Sequence, residues 1–537
     1  MLLRTPLCLL LLTVFWAAIY LPALSKRELQ GEEARRILPG RTMLQTGEWI
    51  VPRSGGEIYN RKPPLVNWMS AAAFSTTGRM DEWTVRVPST LMMLALGVGV
   101  FLFLRRWLGN DQALLAGLIT LTNIGFIEKG RIIEIEALYM SLFGLALAAW
   151  LGLRWQGRDL AAWGVSGVVL GIGFLAKGPL HILYFYALII GVLAAERRLA
   201  DLRGWKHVAG FLASVAVWAP WAFLNSQRNV QKDSGKVWAD QITHRLGFSE
   251  FDVANYLLQV PQSLINFMPW VLLLPLCWQI AYADDRHGQW MRGLRKGLVW
   301  AFFLIALLPS SRPRFMLPLN VAAAILVADA LARLGGDQFR TVSRRWRSGV
   351  FVVGGLVTLA LVVAPWTQPK MADAWTGLHW LAWALWLPVL VIAFRAVKGP
   401  AWTQPRTLGV ATALVISIAM SALAFQVVSR QPWRDELREF AADIEKRAGP
   451  EEPILLYKVG ERMWPFYLGM RCREAADVES IPAGIPFRWL VVSRKAWDKK
   501  YDRKILTQRF GQAASEQPLK EPHGDTEYVL MEMAKQP

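Results

Sequence analysis

The sequence predicts an all-α polytopic membrane protein, with about thirteen transmembrane helices, that ends in a small C-terminal α/β domain. Three observations predict it. Apolar residues fill 54% of the 537 positions and mean hydropathy is +0.27, too apolar for a soluble chain of this size. Runs of roughly 18 or more apolar residues, enough to cross a hydrocarbon core about 30 Å thick, recur as far as residue 427. Beyond it they stop, and a helical segment followed by short strands takes over.

The N-terminal stretch MLLRTPLCLLLLTVFWAAIYLPALS has Arg4 ahead of an apolar core, like a signal peptide. Its apolar run fills most of a bilayer, so it reads as a retained first span. Spans then fall near 6–24, 84–104, 112–127, 137–153, 161–177, 180–195, 207–224, 263–282, 297–310, 315–332, 349–366, 376–396 and 407–427. Lys and Arg gather in alternate connections, at Arg105 and Arg106, Arg154 and Arg158, Arg197 to Lys206, Arg286 to Lys296, Arg333 to Arg347 and Arg395 to Arg406. The positive-inside bias makes those connections cytoplasmic, with the N-terminus. The loops 25–83, 128–136 and 225–262 and the tail 428–537 are then extracytoplasmic. The same bias accounts for a net charge of +19, so no nucleic-acid partner is expected.

The 27 tryptophans mostly flank spans, as interfacial anchors do. Three cysteines, Cys8, Cys277 and Cys472, form no disulfide framework or zinc spacing. The domain division is 1–427, a transmembrane part with its outer loops, and 428–537, a soluble part. In the tail, RDELREFAADIEKR (434–447) has helical periodicity, with Leu437, Phe440, Ala441 and Ile444 on one face. ILLYKV (454–459), RWLVVS (488–493) and EYVLME (527–532) read as strands.

Candidate chemistry sits in the outer loops. Glu32 and Glu33 follow the first span, where a carboxylate can serve as general base; the alternative is an ion pair with Arg35 or Arg36 on a short helix. Tyr59 and Lys62 precede Pro63-Pro64, whose rings stiffen the backbone. A lysine held there binds phosphate as a point charge, or snorkels to the interface. The short second loop, EKGRIIEIE (128–136), carries Arg131, Glu134 and Glu136 between two apolar segments. Ionisable groups so close to hydrocarbon are costly and tend to be functional; salt bridging with Arg131 is the other reading. Lys177-Gly178-Pro179 and Ser311-Arg312-Pro313-Arg314 each break an apolar stretch with cations on the outer side. A ring of cations there suits a phosphate or diphosphate head group. His244, Arg245, Glu250 and Asp252 lie in the third loop, where a lone histidine is more often surface than ligand.

The block EEARRILPGRTMLQTGEWIVPRSGGEIYNRKPPL resembles the first extracytoplasmic loop of bacterial lipid A aminoarabinose transferases and protein O-mannosyltransferase-like enzymes, the GT-C glycosyltransferases. Arg131 to Leu138 is similar to that family's second-loop R-x4-D motif, Lys177-Gly178-Pro179 to its KGP turn, and Ser311 to Pro318 to its charged turn. The resemblance implies a GT-C fold. It also implies inverting transfer of a sugar from a polyprenyl-phosphate donor to a lipid, glycan or protein acceptor at the outer face of the bacterial inner membrane. It puts the family's catalytic aspartates on Glu32 and Glu136 and its substrate contacts on Tyr59, Lys62, Arg131, Lys177, Arg312 and Arg314. In some relatives the residue before the lysine is a metal-binding glutamate. Here it is Arg61, and the third-loop histidine falls near Glu250, so no cofactor is assigned and a divalent metal stays an open alternative. Two other readings stay open: a flippase or transporter for a lipid-linked glycan, and a catalytically inactive binding homologue.

Overall fold

The computed structural model describes residues 4–59, 62–228, 253–309, 311–367, 404–426 and 435–533, apart from breaks at 450–451, 461, 483–484 and 523–525. Its described residues are mostly helical. Every expected span except 376–396, which lies outside them, carries helix. Among the described residues, five helices are long and apolar enough to cross a membrane: α4 (Glu82–Leu108), α7 (Ile135–Trp155), α8 (Asp159–Lys177), α10 (Trp205–Arg228) and the segment Pro313–Arg333. Two further segments are bent pairs, α5 (Asn110–Leu121) with α6 (Ile124–Gly130) at 61°, and Tyr256–Ile265 with Trp270–Gln279 at 88°. Shorter apolar helices are α1 (Thr5–Tyr20), α9 (Leu180–Ala195) and Pro405–Met420. Chain packing divides the molecule into two compact units, one of residues 1–23, 89–223 and 235–430, the other of residues 24–88, 224–234 and 431–537.

In the first unit, polar contacts tie the two bends together. Asn123 caps α6 by accepting from the Phe126 N–H at 3.1 Å, which satisfies one of the donors a helix start leaves unpaired. The freed backbone then bonds across to the other bend. The N–H groups of Ile124 and Gly125 reach the carbonyls of Met268 and Asn266, each at 2.9 Å. Trp270 Nε1 donates to Thr122 Oγ1 at 2.9 Å. Irregular backbone at membrane depth needs such partners, because hydrocarbon offers none. Position 125 must be glycine: a Cβ would lie 2.4 Å from a Leu317 methyl and 2.9 Å from the Asn266 oxygen.

At the other end of α7, Arg154 is not a solvated loop cation. It is almost fully buried, 2.7 Å from Asp201, 3.1 Å from Glu196 and 3.7 Å from Asp159. The basic loop pattern that marks one side of the membrane thus also ties the ends of α7, α8 and α9 together.

In the second unit, a five-stranded sheet has the order β4-β3-β5-β7-β6. The strands are β3 (Ile454–Tyr457), β4 (Cys472–Ala475), β5 (Trp489–Ser493), β6 (Ala513–Lys520) and β7 (Glu527–Met533). β3 pairs in parallel with β4 and β5, whereas β7 runs antiparallel to β5 and β6. Alternate side chains of a strand face opposite ways. Leu456, Val491 and Leu530 therefore pack with Leu437, Phe440 and Ile444 of helix Glu436–Ala448. Leu455, Leu490 and Val492 pack with Trp497 and Leu506 on the other face. The strands expected at 454, 488 and 527 are present; β4 and β6, short or polar-alternating, were not foreseen.

The first loop belongs to this same unit. Residues 53–54 (β1) and 57–58 (β2) form a small hairpin, and Gly56 at its turn has φ +82, with Ala476 N 2.2 Å from where a Cβ would stand. Fully buried Arg41, on α2 (Glu33–Thr46), reaches the Pro465 carbonyl at 2.7 Å, Cys472 Sγ at 2.8 Å and Glu474 Oε1 at 2.5 Å. Breaking one partner of such a buried pair costs about 3–5 kcal/mol. Cys472, like Cys8 and Cys277, is a buried free thiol.

Candidate functional site

In the membrane unit, three of the sequence-predicted residues converge. Glu136 stands in the first turn of α7, where a negative charge suits the unpaired N–H groups of a helix start. Its carboxylate lies 3.1 Å from Lys177 Nζ and 3.5 Å from Arg314 Nε. Lys177 is the last residue of α8, which Gly178 terminates at φ +98. Its ammonium is buried, 5.0 Å from the Tyr139 ring centre and 4.9 Å from that of Phe315, and aromatic faces compensate a cation that has lost water. The Arg314 side chain stays 39% exposed. Two cations against one carboxylate leave the cluster one positive charge in excess, a place for an anion. Just outside α7, Glu134 pairs with Lys129 at 3.4 Å; burial raises its carboxyl above the usual range, with Lys129 opposing.

Arg314 belongs to the turn Pro313–Leu319, and the same turn sends Met316 and Leu319 into an apolar groove. Leu264, Phe267, Phe302 and Phe303 also line it. One short element thus serves both a cation cluster and an apolar groove.

In the first-loop unit, Glu32 and Glu33 part company. Successive residues on a helix point about 100° apart. Glu33 is completely buried and receives Arg86 Nε and Nη2 at 2.9 and 2.7 Å; the same guanidinium holds the carbonyls of Leu24, Arg27 and Glu28. Its role is structural. Glu32, just ahead of α2, keeps a side chain 40% exposed and accepts from Arg35 at 2.7 Å and Arg36 at 3.3 Å. The ion pair allowed by the spacing therefore forms. Arg36 also donates to the Tyr59 hydroxyl and so joins two residues the sequence singled out separately. Sequence reading missed that link, although an i, i+4 acid–base pair was a usable sign.

Other sequence-predicted residues stand elsewhere. Arg131 is directed onto the Ile19 and Pro22 carbonyls at 2.5 and 2.6 Å, closing the end of α1. Lys62 is half-buried just before Pro63-Pro64 and α3 (Leu65–Thr77), and Arg312 is exposed. Arg61 and the third-loop residues His244, Arg245, Glu250 and Asp252 lie outside the described residues. Among the described residues, no three His, Cys, Asp or Glu side chains are placed to hold one metal ion. Glu32, Glu33 and Glu136 each already face a guanidinium or ammonium.

Residues 61–223 match the family described as dolichyl-phosphate-mannose-protein mannosyltransferase. An undecaprenyl phosphate-alpha-4-amino-4-deoxy-L-arabinose arabinosyl transferase of Edwardsiella ictaluri is 27% identical over 66% of this chain and 65% of its own length. A similarly named transferase of Pseudomonas fluorescens is 26% identical over 79% of this chain and 77% of its own. The crystal structure of ArnT from Cupriavidus metallidurans, solved in the apo state and bound to undecaprenyl phosphate, aligns over 98% of both chains with TM-score 0.69 and 19% identity. The chain therefore has the fold of the Cupriavidus metallidurans protein and is similar, over 66% of its length, to undecaprenyl phosphate-aminoarabinose arabinosyl transferases.

Proposed function

We propose that this chain is an inverting glycosyltransferase that moves a sugar, of the aminopentose class its relatives are named for, from a polyprenyl-phosphate donor to an envelope acceptor. A lipid A-like glycolipid is the first candidate acceptor; other glycans and proteins follow. The observation that carries this reading is the Pro313–Leu319 turn. It supplies Arg314 to a cluster one positive charge in excess and two apolar side chains to a groove. A phosphate head with an isoprenoid tail fits that combination.

The acceptor hydroxyl loses its proton to Glu32, its oxygen bonds to the anomeric carbon, and the bond from that carbon to the phosphate oxygen breaks on the opposite face. Polyprenyl phosphate leaves with the electron pair. Cations that stabilise its developing charge lower the barrier, and Lys177 and Arg314 take that part, with Arg312 at the edge of the same turn. Glu136 holds those cations in place. Tyr59 and Lys62 contact substrate in the first-loop unit, where Arg36 positions Glu32 and Tyr59. Arg131 has a structural duty instead. No step runs through a metal. The topology that accompanies this chemistry has thirteen spans in the inner membrane, the N-terminus in the cytoplasm and the 428–537 tail outside.

Purified full-length protein in membranes, given a set of polyprenyl-phosphate sugars and envelope acceptors, should release polyprenyl phosphate; Glu32→Gln should not, at equal expression. A variant as active as the native protein removes Glu32 as base. No release from any donor, despite measurable donor binding, removes the transferase reading.

A further inference from the structure

In the tail, helices Arg494–Trp497 and Lys500–Phe510 form a strongly basic face that the proposed chemistry does not use. Arg494, Lys495, Lys499, Lys500, Arg503 and Lys504 are all exposed. On the longer helix Lys500, Tyr501 and Lys504 fall within about 100° of arc, opposite the buried Asp502 and Leu506. Trp497 and Leu506 anchor the inner side in the sheet's core.

The local carboxylates do not neutralise this face. Asp502 is committed inward, to Lys458 at 2.7 Å and the Tyr457 hydroxyl at 3.0 Å. Asp498 pairs with Arg494 at 3.3 Å and Glu516 with Arg503 at 3.5 Å. Among the described residues, Lys495, Lys499, Lys500 and Lys504 have no carboxylate within ion-pair distance. Between them stands Tyr501, 74% exposed, an aromatic ring with a polar tip of the kind that sits at head-group level.

From this we propose that the 494–504 face docks on a bilayer surface through anionic phospholipid head groups. Clustered lysines beside an exposed aromatic match what such a surface binds. Only residues 427–435 separate this unit from the apolar helix Pro405–Gln426, so a bilayer is the polyanion the chain always has at hand. Docking restrains the unit that carries Glu32, and the inference stands whether or not the chain transfers sugar.

The test uses the full-length protein in nanodiscs. All three native cysteines are buried, so Tyr501→Cys accepts a single environment-sensitive fluorophore. In phosphatidylcholine discs containing phosphatidylglycerol, emission should shift to the blue and be quenched by lipid-borne quenchers; in pure phosphatidylcholine discs it should not. Roughly 1 M salt, where the Debye length is about 3 Å, should reverse the shift. Each lysine near such a surface is worth roughly fivefold in the docked ratio. Changing Lys495, Lys499, Lys500 and Lys504 to Gln should lower that ratio on the order of several hundredfold. Identical emission in both kinds of disc overturns the proposal, as does a shift that survives the fourfold variant.

Discussion

Lys177 and Glu136 are 3.1 Å apart, both largely buried. At an effective dielectric of about 20, two unit charges at that distance attract by roughly 5 kcal/mol before desolvation is counted. Arg314, at 3.5 Å but 39% exposed, adds less because water screens it. Lys177→Met removes the stronger partner and leaves a buried carboxylate with only the part-exposed Arg314, which costs up to about 3–5 kcal/mol. Lys177→Met combined with Glu136→Gln strands neither charge, so most of that loss should return, a coupling of about 1.5 kcal/mol or more in the cycle. Thermal unfolding in detergent of the native protein, both single variants and the double variant measures it. Transfer activity separates stability from function: it should be lost in the double variant too, since no ammonium remains to face phosphate. A double variant no more stable than Lys177→Met would refute the pairing, and one with native transfer would refute its part in catalysis.

Two further outcomes follow from other contacts. Arg131→Met uncovers the Ile19 and Pro22 carbonyls and should cost about 1–3 kcal/mol of stability while leaving the donor KM within about threefold; a KM raised tenfold at native stability would return Arg131 to the phosphate site. Glu28 is buried, and that burial raises its carboxyl above the ordinary range, against the Arg438 and Leu437 N–H groups. The folded chain therefore holds this proton more tightly than the unfolded chain. The resulting stability is complete below about pH 4.3, the ordinary glutamate value, and fades as pH rises through the folded-state value. Glu28→Gln should flatten that part of the curve of Tm against pH, whereas a curve parallel to the native one would contradict the argument.

Much of the fold was legible because its signals are local. Apolar runs, alternating basic loops, and the helix and three strands of the tail all depend on residues close in sequence. β6 escaped because its pattern of polar and apolar residues is weak, and β4 because four residues carry little periodicity. Lys177, Glu136 and Arg314 were legible as costly charges at span ends, and the first-loop block by its resemblance to known enzymes. By itself, then, the sequence determined the class of the protein, the helices that carry its charged turns and the residue types available for binding a phosphate. Only the tertiary structure decided which of two adjacent glutamates stays accessible, because Arg86, 53 positions later, buries Glu33 and leaves Glu32 to Arg35 and Arg36. It also turned Arg131 away to the end of α1 and brought Arg314, from a distant turn, onto Glu136. Ion pairs between distant segments have no periodicity to read; they exist only once packing has removed the water that would otherwise solvate each charge alone.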